Sequence, residues 1–208
     1  MRRVLIRPWA ALLFPIAVCA QYKAGPAGPP PSGVAPAVAQ VLEKRGFQIN
    51  GPNGAYCEIW FRASLADGPP ANMPNVTLPA VPVGALLGVL RFDNAGADRR
   101  GQTIPPGVYT LRYAIMPDNG DHEGAARQRD FALLLPAGED HNPDSLLKFD
   151  DLLAMSRKAS GTRHPAVMSI WKAATGAPSF GQRGDDWVLE DRIGDTPIAI
   201  ILIGSVSI

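Results

Sequence analysis

The sequence predicts a mainly β protein, an antiparallel β-sandwich of seven to eight strands with two short helices. Three observations support this fold class. Apolar and polar residues alternate at the two-residue period of a half-buried strand, turns rich in Gly, Pro and Asn separate these stretches, and strands do not alternate regularly with helices. A barrel is the alternative, because the same strands and turns also suit a sheet that closes on itself.

The first twenty residues have the features of an export signal. Arg2, Arg3 and Arg7 precede an apolar stretch that is short for a membrane span, and the small residue Ala20 suits cleavage after it. Cleavage reduces the 20 basic residues to 17 against 19 acidic residues, a net charge of −2. This balance is not that of a protein that binds nucleic acid. We therefore expect an exported protein, periplasmic or extracellular, with no membrane span after cleavage.

The mature chain is predicted to be a linker followed by one domain. Residues 21–33 are dominated by Gly and Pro, which indicates a linker, and residues 34–208 are long enough for a single β-sandwich domain. Cys57 is the one cysteine outside the signal, so no internal disulfide is expected. Cys57 alternates with Ile59 and Phe61 in a predicted strand, which places its thiol in the core.

Two helices are predicted from their start and stop signals. The first covers residues 34–45, with Gly46 directly after its end. The second begins at Asn142, which is suited to cap it, and stops at Gly161.

Strands are predicted from alternation and from the turns that bound them. They form a hairpin within residues 46–62 and further strands at 86–92, 108–116, 130–135, 166–172, 187–193 and 197–203. The last strand is apolar at almost every position, which predicts a central strand with both faces covered.

The stretch "MPDNGDHEGAARQRD" joins two predicted strands and is much longer than the two to five residues that a hairpin needs. One interpretation is that Arg129 and Asp130 order the loop by pairing with neighbours such as Asp118 or Asp121. A second is a ligand site formed by Asp121, His122, Arg129 and Asp130, since long loops on rigid sheets often carry function. A disordered loop is the third.

A divalent-metal site is the chemical alternative for the same loop. His122 and His164 with Asp118 supply the imidazole and carboxylate ligands that such a site requires. His141 follows the return strand, so it is expected at the opposite end of the hairpin from His122, roughly 20–30 Å away. Exposed histidines without a metal are the simpler interpretation.

Trp60 is the tryptophan with the clearest binding interpretation. It shares a strand face with Glu58 and Arg62, which is the more polar face, so it is a candidate exposed platform for a sugar ring. Burial of Trp60 in the core is the alternative.

Four segments carry a resemblance to a known group of proteins: "GPNGAYCEIWFR", "PPGVYTLRYAIMP", "GDHEGAARQRDF" and "MSRKASGTRHPAV". Through them the chain resembles uncharacterised exported β-rich proteins of acidobacterial-type soil bacteria. The resemblance implies a bacterial, exported protein and implies no particular activity.

Two functions are consistent with these observations. The first is a non-enzymatic exported protein that binds a small molecule, a saccharide or an envelope protein and needs no cofactor. It is favoured because the sequence lacks the nucleophile-elbow, zinc-protease, P-loop and dinucleotide-binding motifs. The alternative is a small metal-dependent or acid–base hydrolase that uses His122, His164 and nearby carboxylates, with a divalent metal as cofactor.

Overall fold

The computed structural model describes residues 21–117 and 128–204. Its elements are β1 (Lys23–Ala27), α1 (Pro36–Val41), β2 (Gly46–Gly51), β3 (Gly54–Phe61), β4 (Leu86–Phe92), β5 (Gly96–Ala97), β6 (Thr103–Ile104), β7 (Gly107–Ile115), β8 (Asp130–Pro136), α2 (Phe149–Ser160), β9 (Val167–Trp171), β10 (Ser179–Arg183), β11 (Asp186–Ile193) and β12 (Thr196–Ile203). Neither helix is long and apolar enough to cross a membrane, within the ranges given above.

Ten of the strands form one antiparallel sheet. Their order is β1-β2-β3-β4-β7-β8-β9-β12-β11-β10, while β5 and β6 form a separate two-stranded ribbon. The sheet curls until its edge strands β1 and β10 lie beside each other, so the fold is barrel-like. We name its two ends after residues: the Asp130 end, where β7 finishes and β8 starts, and the Tyr109 end, where β7 starts and β8 finishes.

The predicted fold class is confirmed as mainly β with two helices, but the sandwich of seven to eight strands is corrected to a single ten-stranded sheet. The prediction missed β1 and β10, the two strands at the edges. Lys23–Ala27 lies in the segment predicted as a linker, yet every residue of it pairs with β2. Its Gly and Pro content suits an edge strand, where a missing N–H disrupts no ladder.

The core fills the interior of the curled sheet. On β7, Tyr109, Leu111, Tyr113 and Ile115 point inward and are buried. Cys57 is also interior, as predicted. Both faces of β12 are covered, because its inward side chains join the main core and its outward ones join a smaller apolar cluster.

Both helices are shorter than the sequence predicts. α1 ends at Val41 because Leu42 turns to an extended conformation and bridges to Arg62. α2 ends at Gly161, as predicted, in a left-handed conformation, but it begins at Phe149 instead of near Asn142.

The late start of α2 has its cause in the buried side chain of Arg112, on the outward face of β7. Nε and Nη2 of Arg112 donate to the two oxygens of Asp140 at 2.8 and 2.6 Å. Its other three N–H groups donate to the backbone carbonyls of Gly84, Asn142 and Ser145. All five donors of the guanidinium are therefore used, and neither charged group is more than 3% exposed.

Residues 140–146 wrap around two arginines instead of forming helix. Arg62 takes the carbonyl of Pro143 and the carboxylate of Asp144, each at 2.6 Å. Together, Arg62 and Arg112 bind the backbone carbonyls of Asn142, Pro143 and Ser145. In a helix, these carbonyls would accept hydrogen bonds from the helix's own N–H groups. α2 therefore starts only after residues 140–146, at Phe149.

We expect Asp140→Ala to lower the free energy of unfolding by about 3–5 kcal/mol, because it leaves the charge of Arg112 buried without a counter-ion. Urea unfolding measures this. The matched control is Asp93→Ala, which removes the exposed partner of Arg91 and should cost at most about 1 kcal/mol. Equal losses in the two variants would contradict the role of Asp140.

We expect Gly84→Ala to destabilise the fold by about 2 kcal/mol or more. Gly84 has φ of 85°, and a Cβ there would overlap the backbone of Leu147. Gly138→Ala is the control, because a Cβ at Gly138 meets nothing within 4 Å, and it should change stability by less than about 0.5 kcal/mol. Thermal melts of the two variants make the comparison.

Candidate functional site

The long loop between β7 and β8 is described only at its two ends. Asp118, Asp121 and His122 lie outside the described residues. Arg129 and Asp130 are described: Arg129 donates to the carbonyl of Met116, at the start of the loop, and to that of Pro74, and Asp130 accepts from Thr77 and Leu78. The predicted pairing with Asp118 or Asp121 involves residues outside the described ranges and stays a prediction.

Asp130 is fully buried, and both of its carboxylate oxygens are occupied. One oxygen accepts from the N–H and the hydroxyl of Thr77, and the other accepts from the N–H of Leu78 and the phenol of Tyr113. Burial and this hydrogen bond raise the pKa of Tyr113, so the phenol stays protonated and donates. Asp130 therefore fixes the connection of residues 63–85 across its end of the sheet, and it offers no open oxygen to a ligand.

The predicted histidines are separated along the sheet. His164 precedes β9 at the Tyr109 end, whereas the strand ends that flank His122 and Asp118 are at the Asp130 end, roughly 20 Å away along β8. His141 is exposed at the Tyr109 end and contacts the carbonyl of Gly138. Within residues 21–117 and 128–204, no group of three or more His, Cys, Asp and Glu is arranged to hold a metal.

The exposed platform suggested at Trp60 is corrected, because the side chain is 1% exposed. It packs under α1 with Val38, Leu42 and Val89. Its indole N–H donates to the carbonyl of Gly28 at 2.9 Å, so Trp60 anchors the segment that follows β1.

An open region of the structure lies at the seam between β1 and β10. Among the described strands these two have one hydrogen-bonded neighbour each, β2 and β11, and form no ladder with one another. Half of the backbone groups of an edge strand face away from its neighbour. The seam therefore presents backbone N–H and C=O groups from both sides.

The half of the seam near the Tyr109 end is closed by aromatic rings. Trp187 stacks on Phe180 at a centroid distance of 5.5 Å and contacts Tyr22 edge-on at 5.4 Å. The series continues through Tyr56 and Phe92 towards β7. These contacts hold β1 and β11 together without backbone hydrogen bonds.

The other half of the seam contains a pocket of about 240 Å³. It is lined by Ala24, Gly25, Pro26, Arg45, Gly46, Phe47, Pro178, Ser179, Phe180 and Leu189. Most of the wall is apolar. Arg45 provides the charged group, and its guanidinium lies 5.6 Å from the centre of the Phe47 ring. A guanidinium stacked on an aromatic ring keeps its N–H edges free to bind an anion.

Asp191 adds a buried carboxyl near the pocket. It lies two residues beyond Leu189 on the inward face of β11 and is 7% exposed. Burial raises the pKa of Asp191 above its ordinary value, while the N–H of Arg192 and the charges of Arg45 and Arg192 act in the opposite direction. The pocket thus combines apolar walls with one cation at its rim, and the Asp191 carboxyl lies outside its lining, close enough to Arg45 to feel its charge.

Comparison of the chain with family models, with curated proteins and with solved structures finds no significant match.

Sequence reasoning did not identify the residues of the pocket. Phe180 lies in "SFGQR", which shows no alternation, and Ala24 lies in the segment predicted as linker. Phe47 carried one signal, since it alternates with Ile49 and so belongs to the inward face of β2. Its position beside β10 depends on curvature that no local pattern encodes.

We expect Asp191→Asn to raise stability at pH 7 and to have little effect near pH 4. Because the pKa of Asp191 is raised on folding, the folded state binds the proton of this carboxyl more tightly than the unfolded chain does. The stability that protonated Asp191 contributes is therefore lost as the pH rises through its pKa in the folded state. Asparagine is neutral at every pH and avoids this loss. Urea unfolding at the two pH values measures the difference, with Asp195→Asn in the exposed neighbouring turn as control.

Proposed function

We propose that the protein is an exported, non-enzymatic binding module that takes an apolar side chain of a partner polypeptide into the open half of the seam. The observation that carries the proposal is the apolar pocket between two edge strands that form no ladder with each other. Export rests on the features of residues 1–20, which lie outside the described residues.

The size of the pocket favours a single side chain over an enclosed organic ligand. Pockets for drug-sized molecules measure roughly 300–1,000 Å³. The pocket at the seam, about 240 Å³, is smaller than this range. A Leu, Met or Phe side chain suits such a volume, and its burial contributes about 1.5–3 kcal/mol.

The strand count argues against insertion of a whole strand into the seam. Because the ten strands are all antiparallel, β1 and β10 run in opposite directions. An eleventh strand between them would be antiparallel to one and parallel to the other, and parallel pairing is slightly less stable. We infer that the partner pairs locally with one edge while its side chain enters the pocket.

β10 is the better edge for this local pairing. Pro26 has no N–H, so β1 lacks a donor beside the pocket, whereas Ser179–Arg183 contains no proline. Arg45 at the rim selects a carboxylate next to the inserted side chain. The proposed ligand is therefore an apolar residue beside an acidic one in an extended segment.

No described residue favours the hydrolase alternative. His122 and the carboxylates of its loop, Asp118 and Asp121, lie outside the described residues, and His164 lies at the other end of the sheet from the strand ends that flank this loop.

The test uses acetyl-Thr-Phe-Glu-Thr-amide, titrated into residues 21–208 and followed by amide chemical shifts. We expect shifts at the pocket residues of β1, β2 and β10. Ala24→Phe fills the pocket from the inward face of β1 and should weaken binding more than tenfold. Ala154→Phe, on the exposed side of α2, should leave binding unchanged.

A second comparison tests whether Arg45 selects an acidic residue in the peptide. Replacing Glu by Gln in the peptide should weaken binding to the wild type and leave binding to Arg45→Gln unchanged. Shifts that map elsewhere, or full binding by a folded Ala24→Phe variant, would refute the proposal.

A further inference from the structure

A second surface feature, independent of the seam, lies where α2 joins β9. Residues 157–164, which we call the basic turn, comprise the last helical residues, Gly161 and the exposed residues Thr162, Arg163 and His164. The turn contributes no large apolar side chain to the core.

Polar contacts hold the basic turn in one conformation. The carbonyl of His164 accepts from the hydroxyls of Ser160 and Thr162 at 2.6 and 3.0 Å, and from Gln102 at 3.3 Å. Thr162 and His164 also donate their N–H groups to the hydroxyls of Ser160 and Thr162. A surface turn fixed in this way is preorganised, so a ligand that binds it loses little entropy in ordering it.

Contacts with neighbouring arginines place several cations around the turn. Nε of Arg157 donates to the carbonyl of Arg163 at 3.0 Å, and Nη2 of Arg100 donates to that of Pro165 at 2.8 Å. These two carbonyls are two residues apart, so the guanidiniums of Arg100, Arg157 and Arg163 lie within roughly 10–15 Å of each other.

Two of the cations have no acidic partner among the described residues. Arg100 is paired with the buried Asp98, and Lys158 with Glu139, both at 2.6 Å. Within the described ranges, no carboxylate lies within salt-bridge distance of Arg157 or Arg163. Both side chains are exposed, and His164 beside them is exposed as well. The turn therefore has an excess of positive charge, although residues 21–208 as a whole hold 17 basic and 19 acidic residues.

We propose that the basic turn binds a soluble acidic polymer, with Arg157 and Arg163 as paired contacts for its carboxylate or phosphate groups. A guanidinium matches either oxyanion with two parallel hydrogen bonds. A single exposed ion pair contributes little, so affinity requires an anion that engages both arginines at once.

The surroundings of the turn favour a soluble polymer over a membrane. An amphipathic surface that docks on lipid combines its cations with exposed apolar side chains that enter the bilayer interface. Among the described residues, the large apolar side chains that are exposed are Met73 and Leu146, which belong to loops near the Asp130 end. The basic turn is at the Tyr109 end.

The experiment measures binding of residues 21–208 to two soluble probes, oligogalacturonate for carboxylates and tripolyphosphate for phosphates, by calorimetry at low and high salt. We expect the double variant Arg157→Ala/Arg163→Ala to bind at least fivefold more weakly to whichever probe the wild type binds more tightly. The affinity of this variant should also depend less on salt concentration. The conservative variant with lysine at both positions should recover part of the affinity, because lysine keeps the charge without the guanidinium geometry.

Lys44→Ala/Lys172→Ala is the matched control, since it removes the same charge from exposed positions away from the turn. Equal weakening by both double variants would mean that net charge alone acts, and this would overturn the proposal. Binding to vesicles containing phosphatidylglycerol, with no binding to either soluble probe, would also overturn it. Thermal melts verify that each variant is folded.

Discussion

The buried guanidinium of Arg112 organises the outer layer of this protein. It extends from the outward face of β7, binds Asp140 through two hydrogen bonds and takes three backbone carbonyls from two separate connections. A buried charge must be paired and fully hydrogen-bonded, because its removal from water costs several kcal/mol. The loop of residues 140–146 is therefore held flat on the sheet, and α2 begins only after it.

Asp130 performs the corresponding task at one end of the interior. Its four hydrogen bonds hold Thr77 and Leu78, which bring the connection between β3 and β4 over the core. The hydroxyl of Thr77 in turn accepts from the N–H of Lys172 beyond β9. Two buried ionic groups, one outside the sheet and one inside, thus fix two long connections between strands.

The seam follows from how the sheet closes. Aromatic contacts join its edges near the Tyr109 end, but no ladder joins β1 to β10, so the other half stays open around Phe47 and Phe180. The pocket and the basic turn are thus separate surfaces, one apolar and one cationic. A module that uses both would bind a polypeptide and an acidic polymer at the same time.

The sequence by itself determined the central strands, the buried position of Cys57 and the end of α2 at Gly161, because alternation and glycine punctuation act over a few neighbouring residues. It did not determine the edge strands, whose pairing depends on β2 and β11, nor the start of α2, which Arg112 decides from about 30 residues away. Trp60 shows the same limit: the residues that share its strand face, Glu58 and Arg62, are polar, yet α1 covers it. Only the tertiary structure decided these features, because their causes are contacts between segments distant in the chain.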